Sequence, residues 1–120
     1  MSKRILLADK AAYSRWSLRD ILLSQGYTVA GEAKSGEEAL EKYEQLKPDL
    51  LVMDLSISEP EVVSAVRHLR IKYPDVCVII SCGMGQRRGA MEALSAGAAD
   101  FVTRPYSERR VAQTVKKLLG

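Results

Sequence analysis

Five short apolar or β-branched runs punctuate the chain: Arg4–Ala8, Thr28–Glu32, Leu50–Met53, Val76–Ser81 and Asp100–Thr103. Three of them are nearly continuous in apolar residues. That is the pattern of strands buried on both faces, as in a parallel sheet, rather than the alternation of a half-solvated one. Each run is followed by a stretch with helical spacing. The first, Ser14 to Gln25, turns Leu18, Ile21 and Leu22 to one side and meets a stop at Gly26. The second opens on Ser35-Gly36-Glu37-Glu38, a capping-box spacing, and places Leu40, Tyr43 and Leu46 on its apolar face before Pro48.

The third helix opens near Ser58-Glu59-Pro60-Glu61, carries Val62, Val66 and Leu69, and ends before Pro74. The fourth runs from about Gln86 to Ala96 and stops at Gly97. The fifth follows a Ser107 cap and repeats Val111, Val115 and Leu118 at i, i+4 and i+7. Strand and helix alternate with short connections, so the pattern predicts an α/β doubly wound sandwich of five units. There is no repeat, no linker and no low-complexity segment, so residues 1–120 are expected to form a single domain.

In such a sandwich a ligand site lies beyond the carboxyl ends of the strands. The residues there are Asp9 and Lys10, Asp54 to Ser56, Ser81 to Gly85, and Thr103 to Tyr106. Asp9 and Asp54 end two apolar strands. Either alone reads as a helix cap; together they read as a pocket for a cation or for anion chemistry. Asp54 follows Leu50-Leu51-Val52-Met53, so burial would disfavour its charge unless a cation stands beside it.

Composition narrows the class. The chain has 120 residues, 47% apolar and 28% charged, an ordinary globular balance. No apolar run approaches the roughly 20 residues a membrane span needs, and the apolar stretch Ile5–Ala8 is too short for a signal peptide. Two cysteines do not make a disulfide framework, so a reduced, cytoplasmic protein is expected. Cys77 reads as core, and in an extended strand it lies about 16 Å from Cys82, too far to pair. The net charge of +3 is unevenly placed: residues 1–81 carry 11 basic against 12 acidic residues, and residues 82–120 carry seven against three. No recognition helix and no interleaving of aromatic and basic residues accompanies it, which argues against nucleic acid. Gly83-Met84-Gly85-Gln86-Arg87-Arg88-Gly89 imitates a dinucleotide loop, but its spacing is wrong and no acid ends the next strand. His68 reads as a solvated face residue; Tyr13 and Trp16 read by default as packing residues of the first helix, with partial exposure over the pocket as the alternative.

The order of segments resembles the receiver domains of two-component response regulators, close to the stand-alone chemotaxis (CheY-like) type. The likeness covers the whole chain. It rests on Lys3-Arg4-Ile5-Leu6-Leu7-Ala8-Asp9, Gly26-Tyr27-Thr28-Val29-Ala30-Gly31-Glu32-Ala33, and Lys47-Pro48-Asp49-Leu50-Leu51-Val52-Met53-Asp54. Met84-Gly85-Gln86, Ala96-Gly97-Ala98-Ala99-Asp100-Phe101 and Arg104-Pro105-Tyr106 continue it. The resemblance implies a (βα)5 sandwich of strand order 2-1-3-4-5 that is not itself an enzyme. It implies that Asp54 takes a phosphoryl group from a histidine kinase. Mg²⁺ would then be held by Asp9, Asp54 and the Ser56 carbonyl.

Four departures fall in that pocket. Receivers carry two adjacent acids where this chain has Asp9-Lys10, and the missing acid is the one that touches the metal. They carry Lys where Arg104 stands. They carry Thr or Ser where the alignment places Cys82, with Ser81 one position early. Their Met-Pro loop after the phosphoacceptor reads Ile57-Ser58-Glu59-Pro60-Glu61-Val62 here. The usual pocket needs a divalent cation for neutrality, whereas Asp9 and Asp54 against Lys10 and Arg104 are already neutral. Two outcomes follow: a receiver that signals by partner binding with Mg²⁺ weak or absent, or one phosphorylated on Asp54. Cys82 and Tyr106 occupy the switch positions, although Tyr106 also reads as an edge-strand aromatic. The docking face implied by the likeness is the fourth helix, fifth strand and fifth helix, with Arg87, Arg88, Arg109 and Arg110, facing a histidine kinase or another signalling protein.

Overall fold

The structure, a computed structural model, describes residues 2–120. Strands β1 (Arg4–Ala8), β2 (Thr28–Ala33), β3 (Leu50–Asp54), β4 (Val78–Cys82) and β5 (Asp100–Thr103) form one parallel sheet in the order β2-β1-β3-β4-β5. The runs that lack polar interruption, β1, β3 and β4, are the three central strands. Parallel pairing forces a crossover helix between successive strands, and those helices cover both faces. Helices α1 (Ala12–Ser24) and α5 (Glu108–Leu119) lie on one face; α2 (Gly36–Leu46), α3 (Glu59–Lys72) and α4 (Arg87–Ala96) lie on the other.

Successive strand residues point to opposite faces, so each central strand feeds two separate cores. Ile5, Leu7, Leu50, Val52 and Ile79 pack with Leu18, Leu22, Val111 and Val115 on the α1–α5 side. Leu6, Leu51, Met53, Ile80 and Cys82 pack with Val62, Val66, Leu69, Ala90 and Ala93 on the other. Ser35, Ser58 and Ser107 each cap a helix, accepting from the backbone N–H of Glu38, Glu61 and Arg110.

The differences from the sequence reading are local. Helix α1 begins at Ala12, two residues early, because Ala11 is its N-cap and the Ala11 N–H is held by the Asp9 side chain. Strand β4 begins at Val78: the Tyr73 carbonyl takes the Val76 N–H and turns the chain there. Cys77 is therefore half-buried at the strand entrance rather than inside it. On α2, Ala39 and Tyr43 are buried, while Leu40 and Leu46 are half-covered, as is Leu118 on α5. A 3-10 turn, Met84–Gln86, precedes α4; of the dinucleotide-like glycines, Gly83 stands before the turn, Gly85 lies in it and Gly89 lies in the helix. Gly89 faces α3 so closely that a Cβ there would lie 1.7 Å from the Glu59 carboxylate. His68 is exposed, and Tyr13 and Trp16 are too, at 85% and 55%, so neither aromatic packs inward.

Candidate functional site

The sheet delivers Asp9 and Asp54 to its carboxyl edge from the adjacent strands β1 and β3. Asp54 closes a strand buried at every position and is itself fully buried. A buried carboxylate needs hydrogen-bond partners or a counter-charge, and Asp54 has both. Its Oδ1 accepts from the Ser56 N–H at 2.8 Å. Its Oδ2 accepts from the Ser81 hydroxyl at 2.7 Å and from the Arg104 guanidinium in a close ion pair. Asp9 is almost as buried; its Oδ1 accepts from the Ala11 N–H and from the Ser56 hydroxyl, both at 2.9 Å. Ser56 therefore joins the two acids, its N–H on one and its O–H on the other.

Arg104 reaches inward from the segment after β5, where the Arg104–Pro105 bond is cis and the Arg104 N–H donates to the Cys82 carbonyl. Burial works against its charge, but Asp54, Tyr106 and Asp9 outweigh it and hold the guanidinium above its ordinary range. Tyr106 is half-buried, packs on the α1–α5 core, and has its hydroxyl 3.4 Å from Ser14 Oγ.

Two of the sequence assignments change place. Lys10 is exposed and makes no ion pair among the described residues, so of the two cations expected beside Asp54 only Arg104 reaches it. The cause is local: Asp9 turns in toward Ala11 and Ser56, and the next residue turns out. The side chain that reaches Asp54 from β4 is Ser81, not Cys82. Asp54 pairs with Ser81 in the β3–β4 ladder, and paired residues of a parallel sheet share a face. Cys82 faces the opposite core, its thiol 3.9 Å from the Val102 carbonyl. Burial, reinforced by the Asp54 charge, pushes that thiol up, which makes it a poor nucleophile.

One residue of the site has no counterpart in the sequence reading. Arg15 is 7% exposed; its Nη1 donates to the Asp9 carbonyl at 2.8 Å and its Nε to Glu32 Oε1 at 2.6 Å. It pins the main chain of the β1–α1 corner. Its signal was the spacing Arg15, Leu18, Leu22, an i, i+3, i+7 stripe that puts the arginine on the inward face of α1.

The four arginines of the expected docking face are all exposed. Arg87 lies over the Phe101 ring, 5.9 Å from its centroid, and Lys117 pairs with Asp100 at 2.7 Å. No helix among the described residues is long and apolar enough to cross a membrane.

This five-stranded parallel order, with two buried acids at the carboxyl edge and a basic residue before Pro105, defines a receiver. The chain belongs to the response regulator receiver domain family, whose model matches residues 5–116. It is 41% identical over 118 residues to the chemotaxis protein CheY of Thermotoga maritima, covering 98% of each chain. It is 35% identical to the chemotaxis protein CheY of Bacillus subtilis over the full length of both. The response regulator domain of Thermotoga maritima CheB superposes with a TM-score of 0.85 at 30% identity, covering 99% of this chain and 97% of that one. Receiver domains are signalling modules that interact with histidine kinases and other signalling proteins.

Proposed function

We propose that this chain is a chemotaxis-type receiver that acts by binding a partner protein, its Asp54 pocket held by Arg104 rather than cycled through Mg²⁺-dependent phosphorylation. The ion pair between Arg104 and the fully buried Asp54 carries this reading. An incoming phosphoryl group needs a free Asp54 oxygen, and either the Ser56 N–H must leave Oδ1 or both the Ser81 hydroxyl and Arg104 must leave Oδ2 before one is exposed.

The donors do not suit Mg²⁺, which takes carboxylates and waters in a near-octahedral shell. Both Asp54 oxygens already accept protein donors and Asp9 Oδ1 accepts two, so the oxygens a metal would take are engaged. Lys10 stands in the family's metal-acid position, and a guanidinium already neutralises Asp54. Arg is also a poor substitute for Lys as a mobile point charge: its planar fork fixes direction as well as charge.

The docking reading rests on charge. Arg87, Arg88, Arg109 and Arg110 stand exposed on α4 and α5, and an acidic partner surface complements them. The test of the pocket is intact mass after incubation with acetyl phosphate and Mg²⁺. The expected result is no acid-anhydride adduct on Asp54, with such an adduct gained when Lys10→Asp and Arg104→Lys are combined. A hydroxylamine-labile adduct on the unmodified sequence, lost in Asp54→Asn, would establish the phosphorylatable receiver instead.

A further inference from the structure

Ser56 and Asp9 form a hydroxyl–carboxylate pair that the reading above leaves unused. The Ser56 hydroxyl donates to Asp9 Oδ1 at 2.9 Å, within the reach at which a carboxylate acts as general base toward a nucleophile. Asp9 is held in place for that role: the Ala11 N–H fixes the same oxygen, and Arg15 fixes its carbonyl. Ser56 is half-buried, whereas Asp54 beside it is fully buried and capped on both oxygens. The accessible oxygen nucleophile of the pocket is thus the serine.

We propose that Ser56 is a phosphoacceptor, taking a phosphoryl group from an acyl phosphate or phosphohistidine donor with Asp9 as the base. This rests on the reading that Asp54 is occluded by Arg104. In the acyl phosphate case a bond forms from Ser56 Oγ to phosphorus as the bond from phosphorus to the acyl oxygen breaks. The carboxylate leaves with the electron pair, and the Ser56 proton passes to Asp9 and then to water. Arg104 stands across the Asp54 carboxylate from Ser56 and is the cation that meets the added charge. A phosphate on Ser56 draws Arg104 from Asp54, and Arg104 lines one surface cavity with Tyr106. The modification therefore moves the same loop that an aspartyl phosphate would move, through a stable ester.

The probe is acetyl phosphate, with intact mass, fragment mapping and hydroxylamine treatment as readouts. The expected adduct maps to Ser56, resists hydroxylamine, disappears in Ser56→Ala and returns in Ser56→Thr, while Ser95→Ala on α4 leaves it unchanged. Asp9→Asn slows its formation by about a hundredfold, as loss of a general base does. No adduct at all overturns this proposal and leaves the occluded-pocket reading standing. A hydroxylamine-labile adduct on Asp54 overturns both.

Discussion

Two groups of arginines in this molecule do opposite things. In the pocket, Arg104 is drawn inward onto a buried acid, and Arg15 is buried against Glu32 and the Asp9 carbonyl. On α4 and α5, Arg87, Arg88, Arg109 and Arg110 stand in solvent. The same side chain fixes structure where water is excluded and remains available where it is not. A buried charge without its partner carries a large desolvation penalty, whereas an exposed one is worth little to stability.

The comparison breaks most clearly at Arg104. Arg104→Ala leaves Asp54 buried without its counter-charge and should destabilise the domain by about 3 kcal/mol in urea denaturation. Adding Asp54→Ala to that variant should recover part of the loss, because the two residues share one interaction. Next comes Ser81→Ala, which removes a hydroxyl from a carboxylate and should cost about 2 kcal/mol. The smallest effect belongs to the outer group. Arg88→Glu with Arg110→Glu should shift stability by less than about 0.5 kcal/mol. If the inner and outer substitutions cost the same in the denaturation midpoint, the division between them is wrong.

Much of the fold was legible because its signals are local. The apolar runs marked the central strands, and Ser35, Ser58 and Ser107 announced their helices by type and spacing. The pocket was legible only as far as its strand ends. Whether residue 81 or 82 faces Asp54 depends on the β3–β4 register, a relation between distant segments that one sequence does not display. Lys10 follows Asp9 in the chain, yet the two point apart, so a count of charges near the pocket overstated its cations by one. Arg15 shows the reverse error: its place on the inward stripe was readable, but a charged residue there was not read as core.

Asp54 also sets a clock. It ends the middle strand of the sheet, buried at every position, the Leu55 N–H that follows it is held by the Ser81 carbonyl at 3.0 Å, and the Ser56 N–H is held by Asp54 itself. Amide protons so placed exchange with solvent only through openings near the cost of unfolding the domain. Helix α4, whose buried residues are only Gly89, Ala90 and Ala93, has far less to give up on opening. The pocket and the outer arginines of α4 thus belong to parts of the molecule with different opening costs, the pocket being the slower to open.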